Sequence, residues 1–263
     1  MAIKQSVGEK GKNDKVDVKI IQAALNLAQS ANFKLKNRLI VDGSNGNKTI
    51  TAIEYFQKNI VKLNAPDGRV DAGGTTLKVL NKNIIKGLNQ DSLMAIMAMG
   101  VGPTVKIYLN LMISMFPKYQ LNTPLRMAHF LAQVGHESLS FVYTQELASG
   151  AAYEGRKDLG NIQKGDGTRF KGRGLMQLTG RDNYTSYGKY IKVDLLKSGN
   201  ERLVATTPKY ALDVSLWFWD NRKLNKYADS DNLKAITRRV NGGYNGLQDR
   251  GDYLERAKFF LLT

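Results

Sequence analysis

The 263-residue sequence contains no cysteine, only two histidines, five prolines and two tryptophans. Without cysteine the chain cannot form a disulfide scaffold, a thiolate metal site or a cysteine nucleophile. The two histidines, His129 and His136, are seven positions apart, which is roughly 10 Å along a helix axis. Because that separation is too large for both rings to bind one ion, a zinc peptidase is not expected. No metal ion and no cofactor are predicted for this chain.

Long apolar runs are also missing. The most apolar stretch, residues 93–116, is interrupted by Lys106 and by a break at residues 100–103. Each half is shorter than the roughly 20 residues that span a bilayer, so two packed core helices are predicted and no transmembrane segment. The first fifteen residues have no apolar core of the kind found in a secretory signal peptide. These features predict synthesis in the cytoplasm without a signal peptide.

Negative charge is scarce, since 23 aspartates and glutamates stand against 39 lysines and arginines, for a net charge of +16. The excess is spread over the chain, with 15 basic and 7 acidic residues in 1–90 and 24 and 16 in the remainder. Such a charge favours a polyanionic partner: nucleic acid, teichoic acid, lipopolysaccharide or an anionic cell wall. Nucleic-acid binding needs a dense basic stripe with interleaved aromatic residues or a known motif, and the sequence has neither. A soluble basic protein without such a partner is the alternative.

Apolar residues recur at helical spacing, which predicts a mainly α protein. Helices are predicted over residues 16–29, 49–60, 92–101, 104–116, 124–140, 208–221, 231–240 and 248–262. Residues 141–174 carry seven glycines and little helical period. They predict a loop with a short β excursion, and so long a loop inside a compact domain usually has a function. A polar run at 82–91 divides the chain into a domain at 1–85, a linker at 86–91 and a second domain at 92–263.

The predicted helix over residues 124–140 is apolar except for one narrow stripe. At about 100° per residue its polar side chains fall within roughly 100° of one another. They are Arg126, His129, Gln133, His136 and Glu137. A mostly apolar helix is usually buried, so its polar stripe must face polar groups. We interpret the stripe as a wall of a catalytic cleft, with Glu137 as an acid whose apolar surroundings favour the protonated form. A core helix with a satisfied polar seam is the alternative.

Glu146 is the next carboxylate after this stripe, and it lies in the predicted loop, where more solvent is expected. Two carboxylates in different environments are what acid–base cleavage of a glycosidic bond needs. One donates a proton to the leaving oxygen and the other activates water. Glutamates nine residues apart are common in helical proteins, so the pair needs support from elsewhere in the chain.

A glycine-rich stretch, residues 170–180 (FKGRGLMQLTG), supplies that support. Its glycines permit close approach of the backbone to a ligand. Gln177 and Thr179 alternate with apolar residues, so on an extended strand both would point to one side. There a hydroxyl could hold a water molecule and an amide could bond a sugar. An ordinary glycine-rich turn followed by a short strand is the alternative.

The N-terminal part contains the same turn pattern twice. Asp42-Gly43 and Asp67-Gly68 are each followed by a further glycine, a threonine expected to cap a helix, and an apolar helix face. The pattern predicts a small helical module with two matching turns.

Residues 5–82 resemble the peptidoglycan-binding domain type 1. The matching residues are Asp17, Val18, Lys19, Gln22, Leu25, Asn26, Asp42, Gly43, Gly46, Thr49, Ala52, Phe56, Gln57, Asp67, Gly68, Val70 and Thr75. The resemblance implies a three-helix bundle that binds cell-wall glycopeptide in a shallow groove. The residues expected to line this groove are Asp42, Gly43, Thr49, Tyr55 and Gln57. The longer segment 30–40 is where the chain departs from the family pattern.

Residues 104–262 closely resemble glycoside hydrolase family 19, which includes chitinases and phage endolysins. The matching residues are Ala128, His129, Phe130, Leu131, Ala132, Gln133, His136, Glu137, Ser138, Gly172, Arg173, Gly174, Gln177, Leu178, Thr179, Asn183, Tyr184, Asn241, Gly242, Gly243 and Arg250. The resemblance implies a lysozyme-like, α-rich fold and an inverting mechanism. In it Glu137 is the general acid, Glu146 the general base, and Thr179 helps to position the attacking water.

The same resemblance implies further site residues. Gln177, Tyr184 and Asn241 are expected to contact sugar, and Arg250 to orient the acid through a polar network. His129 and His136 are expected to support the acid by hydrogen bonds, with His136 also counted among the substrate-binding residues.

Compared with plant chitinases, the segment between the two glutamates is short and cysteine is absent, which resembles the endolysin branch. The sequence therefore predicts a monomeric endolysin of a phage that infects Gram-negative bacteria. Its N-terminal part would bind peptidoglycan, and the positive charge would suit lipopolysaccharide or other anionic envelope polymers. Its C-terminal domain would hydrolyse the β-1,4 bond between N-acetylmuramic acid and N-acetylglucosamine in the periplasm, after release through a holin. The alternatives are a chitinase, a lytic transglycosylase and a non-catalytic wall-binding virion protein.

Overall fold

A computed structural model describes residues 2–28, 33–98 and 103–262 and confirms the mainly α fold. Its helices are α1 Lys15–Leu27, α2 Asn47–Phe56, α3 Thr75–Asn83, α4 Gln90–Met97, α5 Pro103–Met115, α6 Pro124–Glu137, α7 Asp166–Arg169, α8 Arg181–Ile191, α9 Leu203–Thr206, α10 Pro208–Asn221, α11 Asn225–Asp229, α12 Leu233–Asn241 and α13 Leu247–Leu261. A π-helical turn, Gln57–Val61, continues α2, and 3₁₀ turns lie at Phe116–Tyr119, Ala151–Tyr153, Lys157–Leu159 and Asn200–Arg202. The predicted helix ends at 29 and 99–101, the predicted break at 100–102 and the start of segment 30–40 lie outside the described residues.

The N-terminal part is a bundle of α1, α2 and α3 with a two-stranded antiparallel sheet, β1 Val7–Gly8 and β2 Arg69–Val70. Gln22 on α1 holds the first Asp-Gly turn, since its amide donates to Asp42 Oδ1 (3.0 Å) and its carbonyl accepts from the Gly43 N–H (3.0 Å). The same amide lies 3.3 Å from the hydroxyl of Thr49, which is buried. The predicted threonine cap is wrong, because Gly46 caps α2 and Thr49 serves the turn instead.

Gln57 holds the second Asp-Gly turn in the same way. Its amide donates to Asp67 Oδ1 (2.6 Å) and to the Thr76 hydroxyl (3.2 Å), and its carbonyl accepts from the Gly68 N–H (3.0 Å). Gly74, not a threonine, caps α3. The repeat in the sequence is therefore a repeated clamp, in which one buried glutamine satisfies the polar groups of one turn.

The N-terminal and C-terminal parts share one hydrophobic core, in which α1 packs on α4 and α4 on α13. The segment predicted as a linker, 86–91, is held against α13. Lys86 Nζ donates to the Phe259 carbonyl (2.6 Å), and the Gly87 N–H donates to the Phe260 carbonyl (3.0 Å). The boundary between the two parts is therefore a packed surface.

The C-terminal part is organised around α6 and α13, which pack together closely. Gly135 makes this approach possible, because a Cβ added there would lie 2.5 Å from the Tyr253 ring. The predicted helix over 208–221 has the predicted bounds in α10. Trp219 on this helix is fully buried, whereas Trp217 is half-buried against Tyr187.

The loop between α6 and α8 contains the one-turn helix α7, short 3₁₀ turns and two isolated β-bridges, Gln145 with Arg173 and Arg173 with Leu178. This agrees with the predicted β excursion. Within residues 2–28, 33–98 and 103–262, no helix has both the length and the apolarity needed to cross a bilayer.

Candidate active site

Glu137 is the last residue of α6, a helix that begins with a Thr123 cap and a proline at its first position. The helix stops here because the chain turns sharply: Leu139, Ser140 and Phe141 all have positive φ. Such a run is costly for side chains other than glycine. Glu137 is therefore presented at a helix end, with 18% of its side chain exposed.

Arg250 on α13 holds Glu137. Its guanidinium donates from Nη2 to Glu137 Oε1 (2.5 Å) and from Nη1 to Gln133 Oε1 (2.5 Å), and the Arg250 side chain is fully buried. The predicted contact between Arg250 and the acid is confirmed. A carboxylate at a partly exposed helix end, paired with a buried guanidinium, differs from the uncompensated apolar setting expected from the sequence.

The first half of the polar stripe pairs with two aspartates outside α6, and His129 Nδ1 is buried without a hydrogen-bond partner among the described residues. Arg126 donates to both oxygens of Asp229 (2.6 and 2.7 Å), and His129 Nε2 lies 2.8 Å from Asp231 Oδ1. His129 is fully buried, and this burial lowers its pKa. The predicted hydrogen bond from His129 to the acid is wrong, and for these two residues the alternative of a structural seam is correct.

His136 lies beside the site but does not bond the acid. Its Nδ1 is 2.6 Å from Asp249 Oδ2, and its ring packs against Gly246, where an added Cβ would lie 2.1 Å from Cε1. The hydrogen bond with His136 lowers the pKa of Asp249. His136 therefore fixes the start of α13 and not the Glu137 carboxyl, and its predicted contact with substrate stays a prediction.

Glu146 is held by a backbone pair with Gly172. Its Oε2 accepts from the Gly172 N–H (2.9 Å), and its own N–H donates to the Gly172 carbonyl (3.0 Å). Tyr153 lies beside the carboxylate, and the pKa of its hydroxyl is raised by burial and then by the charge of Glu146. Sequence reasoning missed Tyr153, because a tyrosine in a glycine-rich loop carries no periodic signal.

Gln177 does not lie on a strand. It has φ +52° in a tight turn, with its amide donating to the Gly174 carbonyl (2.8 Å), so the predicted strand with Thr179 on the same side is wrong. Its Oε1 is buried and has no partner among the described residues. The Thr179 hydroxyl donates to the Gln177 carbonyl (2.9 Å) and is half-buried.

Gly172 is where Glu146 and Gln177 meet. A Cβ added to Gly172 would lie 2.7 Å from Glu146 Oε2 and 2.8 Å from Gln177 Oε1. The glycine thus leaves space in which both side chains converge on one backbone position; the predicted approach of a ligand to this backbone stays a prediction.

Replacing Gly172 with alanine is expected to displace both side chains while leaving the fold intact, because the clashing atoms are the ends of flexible chains. We expect turnover to fall about tenfold or more, since a misplacement of 1 Å can cost about 10²-fold, with a melting temperature close to that of the parent. Initial rates and thermal unfolding measure this. Gly46→Ala, where nothing lies within 4 Å, is the control, and an unchanged rate in Gly172→Ala would contradict the role of this position.

Tyr184 is not available to a sugar. It is fully buried, and its hydroxyl donates to the Lys171 carbonyl (2.8 Å) and accepts from Arg173 Nη1 (3.0 Å). The predicted sugar contact is therefore wrong, because Tyr184 supports the backbone that carries Gly172 from behind. Asn241, the last residue of α12, is exposed, and its predicted sugar contact stays a prediction.

The predicted site residues thus form two groups. The acid group consists of Gln133, Glu137 and Arg250; the loop group consists of Glu146, Gly172, Gln177 and Thr179. Among the residues that the structure describes, hydrogen bonds join Arg250 to Gln133 and Glu137, Glu146 to Gly172, and Thr179 to Gln177, and none joins the acid group to the loop group. The short segment 138–145 connects them along the chain. Each group presents one carboxylate, which is the minimum for acid–base chemistry on a glycoside.

Known proteins resemble this chain over the same region. Residues 125–238 match the family model described as chitinase class I, Glyco_hydro_19. A glycosyl hydrolase family 19 domain-containing protein of Haemophilus influenzae is 29% identical over 157 residues, which cover 48% of this chain and 75% of that protein. An endochitinase of Arabidopsis thaliana is 38% identical over 116 residues, but these cover 44% of this chain and only 39% of the plant enzyme.

Chitinase C of Streptomyces griseus has a similar fold, with a TM-score of 0.55 and 20% identity over 67% of this chain and 93% of that one. These similarities support a glycoside hydrolase family 19 domain in the C-terminal part and agree with the α-rich fold expected of it. Glu137, Glu146, Gln177 and Thr179 lie within the matched residues; Asn241 and Arg250 lie beyond them.

Proposed function

We propose that this chain is an endolysin that hydrolyses the β-1,4 bond between N-acetylmuramic acid and N-acetylglucosamine in peptidoglycan. The observation that carries the hydrolytic part is the pair of differently held carboxylates. Glu137 is bonded to a buried guanidinium, and Glu146 is bonded to a backbone amide in the loop. Environments that differ in this way suit one acid and one base.

In the proposed reaction Glu137 donates its proton to the leaving glycosidic oxygen while a water molecule attacks the anomeric carbon. Glu146 takes a proton from that water, and the Thr179 hydroxyl helps to position it. Attack from the face opposite to the leaving group inverts the anomeric configuration. Arg250 acts through Glu137 by setting the direction of its carboxyl group.

Two features favour peptidoglycan as the substrate. The net charge of +16 suits the anionic bacterial envelope, including lipopolysaccharide. The N-terminal bundle repeats the Asp-Gly turn of the peptidoglycan-binding pattern and packs on the core of the C-terminal part. We further propose phage-directed lysis, with synthesis in the host cytoplasm and release through a holin to the periplasmic wall.

A chitinase is the second candidate, because the endochitinase of Arabidopsis thaliana is 38% identical over the segment that it shares with this chain. The same carboxylates would then cleave the bond between two N-acetylglucosamine units. The two functions differ in the sugar whose anomeric carbon forms the scissile bond, which is N-acetylmuramic acid in peptidoglycan and N-acetylglucosamine in chitin.

Muropeptide analysis of digested sacculi, beside chitin oligosaccharides of six sugars, tests the proposal. We expect fragments with a reducing N-acetylmuramic acid end and little release from chitin. Efficient cleavage of chitin without cleavage of sacculi would establish the chitinase and overturn the proposal. Anhydro ends in the muropeptides would instead show a transglycosylase, and a chain that cleaves neither substrate would be a binding protein.

A further inference from the structure

We propose that a basic cavity on the N-terminal part binds a glycan strand that carries peptide carboxylates. The cavity has a volume of about 640 Å³. We call it the basic cavity, and its lining includes Lys34, Lys36, Asn37, Lys48, Thr51 and Tyr55. This inference rests on the proposed function, because it names the chemistry by which the N-terminal part would recognise peptidoglycan.

In the part of the chain that the structure describes, no carboxylate pairs with the three lysines of the basic cavity. Lys34, Lys36 and Lys48 are exposed, and none of them forms an ion pair with another described residue. The neighbouring Arg38 differs, since it pairs with Asp91 on α4. Three ammonium groups around one concave surface attract anionic groups of a ligand, as point charges without a fixed direction.

The wall of the basic cavity is held in place before any ligand arrives. Asn26 clamps Leu39, donating to its carbonyl (2.9 Å) and accepting from its N–H (2.8 Å). Phe33 is buried with its ring centroid 5.1 Å from that of Phe56. A preformed wall avoids the entropic cost of ordering a loop upon binding.

Tyr55 provides the surface for a sugar ring. Its side chain is 42% exposed, and Phe33 supports it from the side with a centroid distance of 5.2 Å. Asn37 and Thr51 add uncharged hydrogen-bonding groups beside it. An aromatic face with a few polar groups is typical of small-ligand sites, and here lysines surround it. The combination fits an amino sugar joined to a carboxylate-bearing peptide better than a neutral polysaccharide.

The basic cavity lies beside the turns that the sequence predicted as the groove. Thr49 and Gln57 are buried and occupied by the clamps, so they cannot contact a glycan in this structure. Asp42 and Gly43 are hydrogen-bonded to Gln22, but Asp42 is exposed and Gly43 is half-buried, so their predicted contact with the wall stays a prediction. Of the five predicted groove residues, Tyr55 lines the basic cavity. One wall of the cavity, residues 34–39, belongs to segment 30–40, in which the chain departs from the family pattern, and the other wall belongs to α2.

Sedimentation with purified, lipopolysaccharide-free sacculi tests the proposal, in full-length chains that carry Glu137→Gln to prevent digestion. The variants are a triple Lys34→Gln, Lys36→Gln, Lys48→Gln and a single Tyr55→Ala. The control is Lys197→Gln, Lys209→Gln, Lys223→Gln, which removes the same charge from exposed positions on the C-terminal part. We expect at least tenfold weaker binding for both cavity variants and less than a twofold change for the control.

The probe is then altered in place of the protein. Sacculi whose carboxylates have been converted to amides should bind the parent chain as weakly as native sacculi bind the triple variant. Equal loss in the triple variant and the control, or full binding to amidated sacculi, would overturn the proposal. The proposal would also be overturned if the triple variant lost binding to lipopolysaccharide vesicles but kept binding to sacculi. The ligand would then be a phosphate-bearing one.

The failure of the proposed function would look different. The cavity variants with Glu137 intact should cleave a short soluble glycan at the parental rate, because the basic cavity is separate from both carboxylates. A chain that binds sacculi through the cavity but cleaves only chitin would refute the endolysin and leave the cavity assignment standing. If the parent chain cleaves sacculi and both cavity variants bind sacculi as tightly as the parent, the assignment of the cavity would be refuted and the endolysin function would stand.

Discussion

Replacing Glu137 with glutamine is expected to reduce cleavage of peptidoglycan by on the order of 10²–10⁴-fold, the range that a general acid contributes. The amide cannot supply a proton to the leaving oxygen. It does keep an oxygen that accepts the hydrogen bond from Arg250 Nη2, now 2.5 Å from Glu137 Oε1. The fold should therefore persist, and the variant should still bind sacculi. Rates of dye release from labelled sacculi, with circular dichroism as a check on folding, measure this.

The control is Glu54→Gln, which makes the same change of charge at a half-buried position on α2. Glu54 belongs to neither the acid group nor the loop group. It should retain the parental rate. Glu146→Gln should lower the rate as well, because it removes the proposed base. A fully lytic Glu137→Gln variant would remove Glu137 from the reaction.

Replacing Arg250 with methionine is expected to lower both stability and turnover. Methionine fills much of the volume but leaves Glu137 and Gln133 without their donor. Removing one partner of a buried charged pair costs about 3 kcal/mol of unfolding free energy. Turnover of the folded fraction should fall at least tenfold, because among the described residues no other hydrogen bond directs the Glu137 carboxyl. Urea unfolding, and rates measured well below the transition, separate the two effects.

Arg256→Met is the matched control for this substitution. Arg256 is also on α13 and nearly buried, but its guanidinium donates to the Ile96 carbonyl, away from both carboxylates. It should lose stability and keep its turnover per folded molecule. Arg250→Lys should recover part of the stability, since one ammonium can reach only one of the two acceptors. Equal turnover in Arg250→Met and Arg256→Met would show that Arg250 has a structural role only.

The sequence was sufficient for elements whose signals are local. Helical spacing predicted residues 208–221, the observed bounds of α10, and residues 231–240, close to the observed bounds of α12. Glu137 was likewise found from one stripe on one helix. Its partner Arg250 was predicted only from the resemblance to a family, because 113 residues separate the two. Periodicity predicts which face of a helix is buried but not which residues pack against that face.

Polar residues were harder to assign than helices, and for one reason. A buried hydroxyl or amide satisfies its hydrogen bonds either inside the protein or with a ligand, and both uses leave the same pattern in the sequence. Tyr184 and Gln57 looked like ligand contacts and proved to be internal. Gln177 misled through its alternation with apolar neighbours, because a tight turn can alternate as a strand does. Only the backbone angles distinguish the two.

The packed boundary at residues 86–91 limits how such a molecule could work on a wall. A catalytic domain joined to its binding domain by a flexible linker can reach many bonds around the point of attachment. In the proposed endolysin, the shared hydrophobic core would hold the basic cavity at a fixed distance from the two carboxylates, so each cut would fall within a set distance of the contact. The next bond would come within reach only after the protein dissociates and rebinds elsewhere on the wall. Residence time on the wall would then limit turnover, and a variant that grips the glycan more tightly would digest it more slowly.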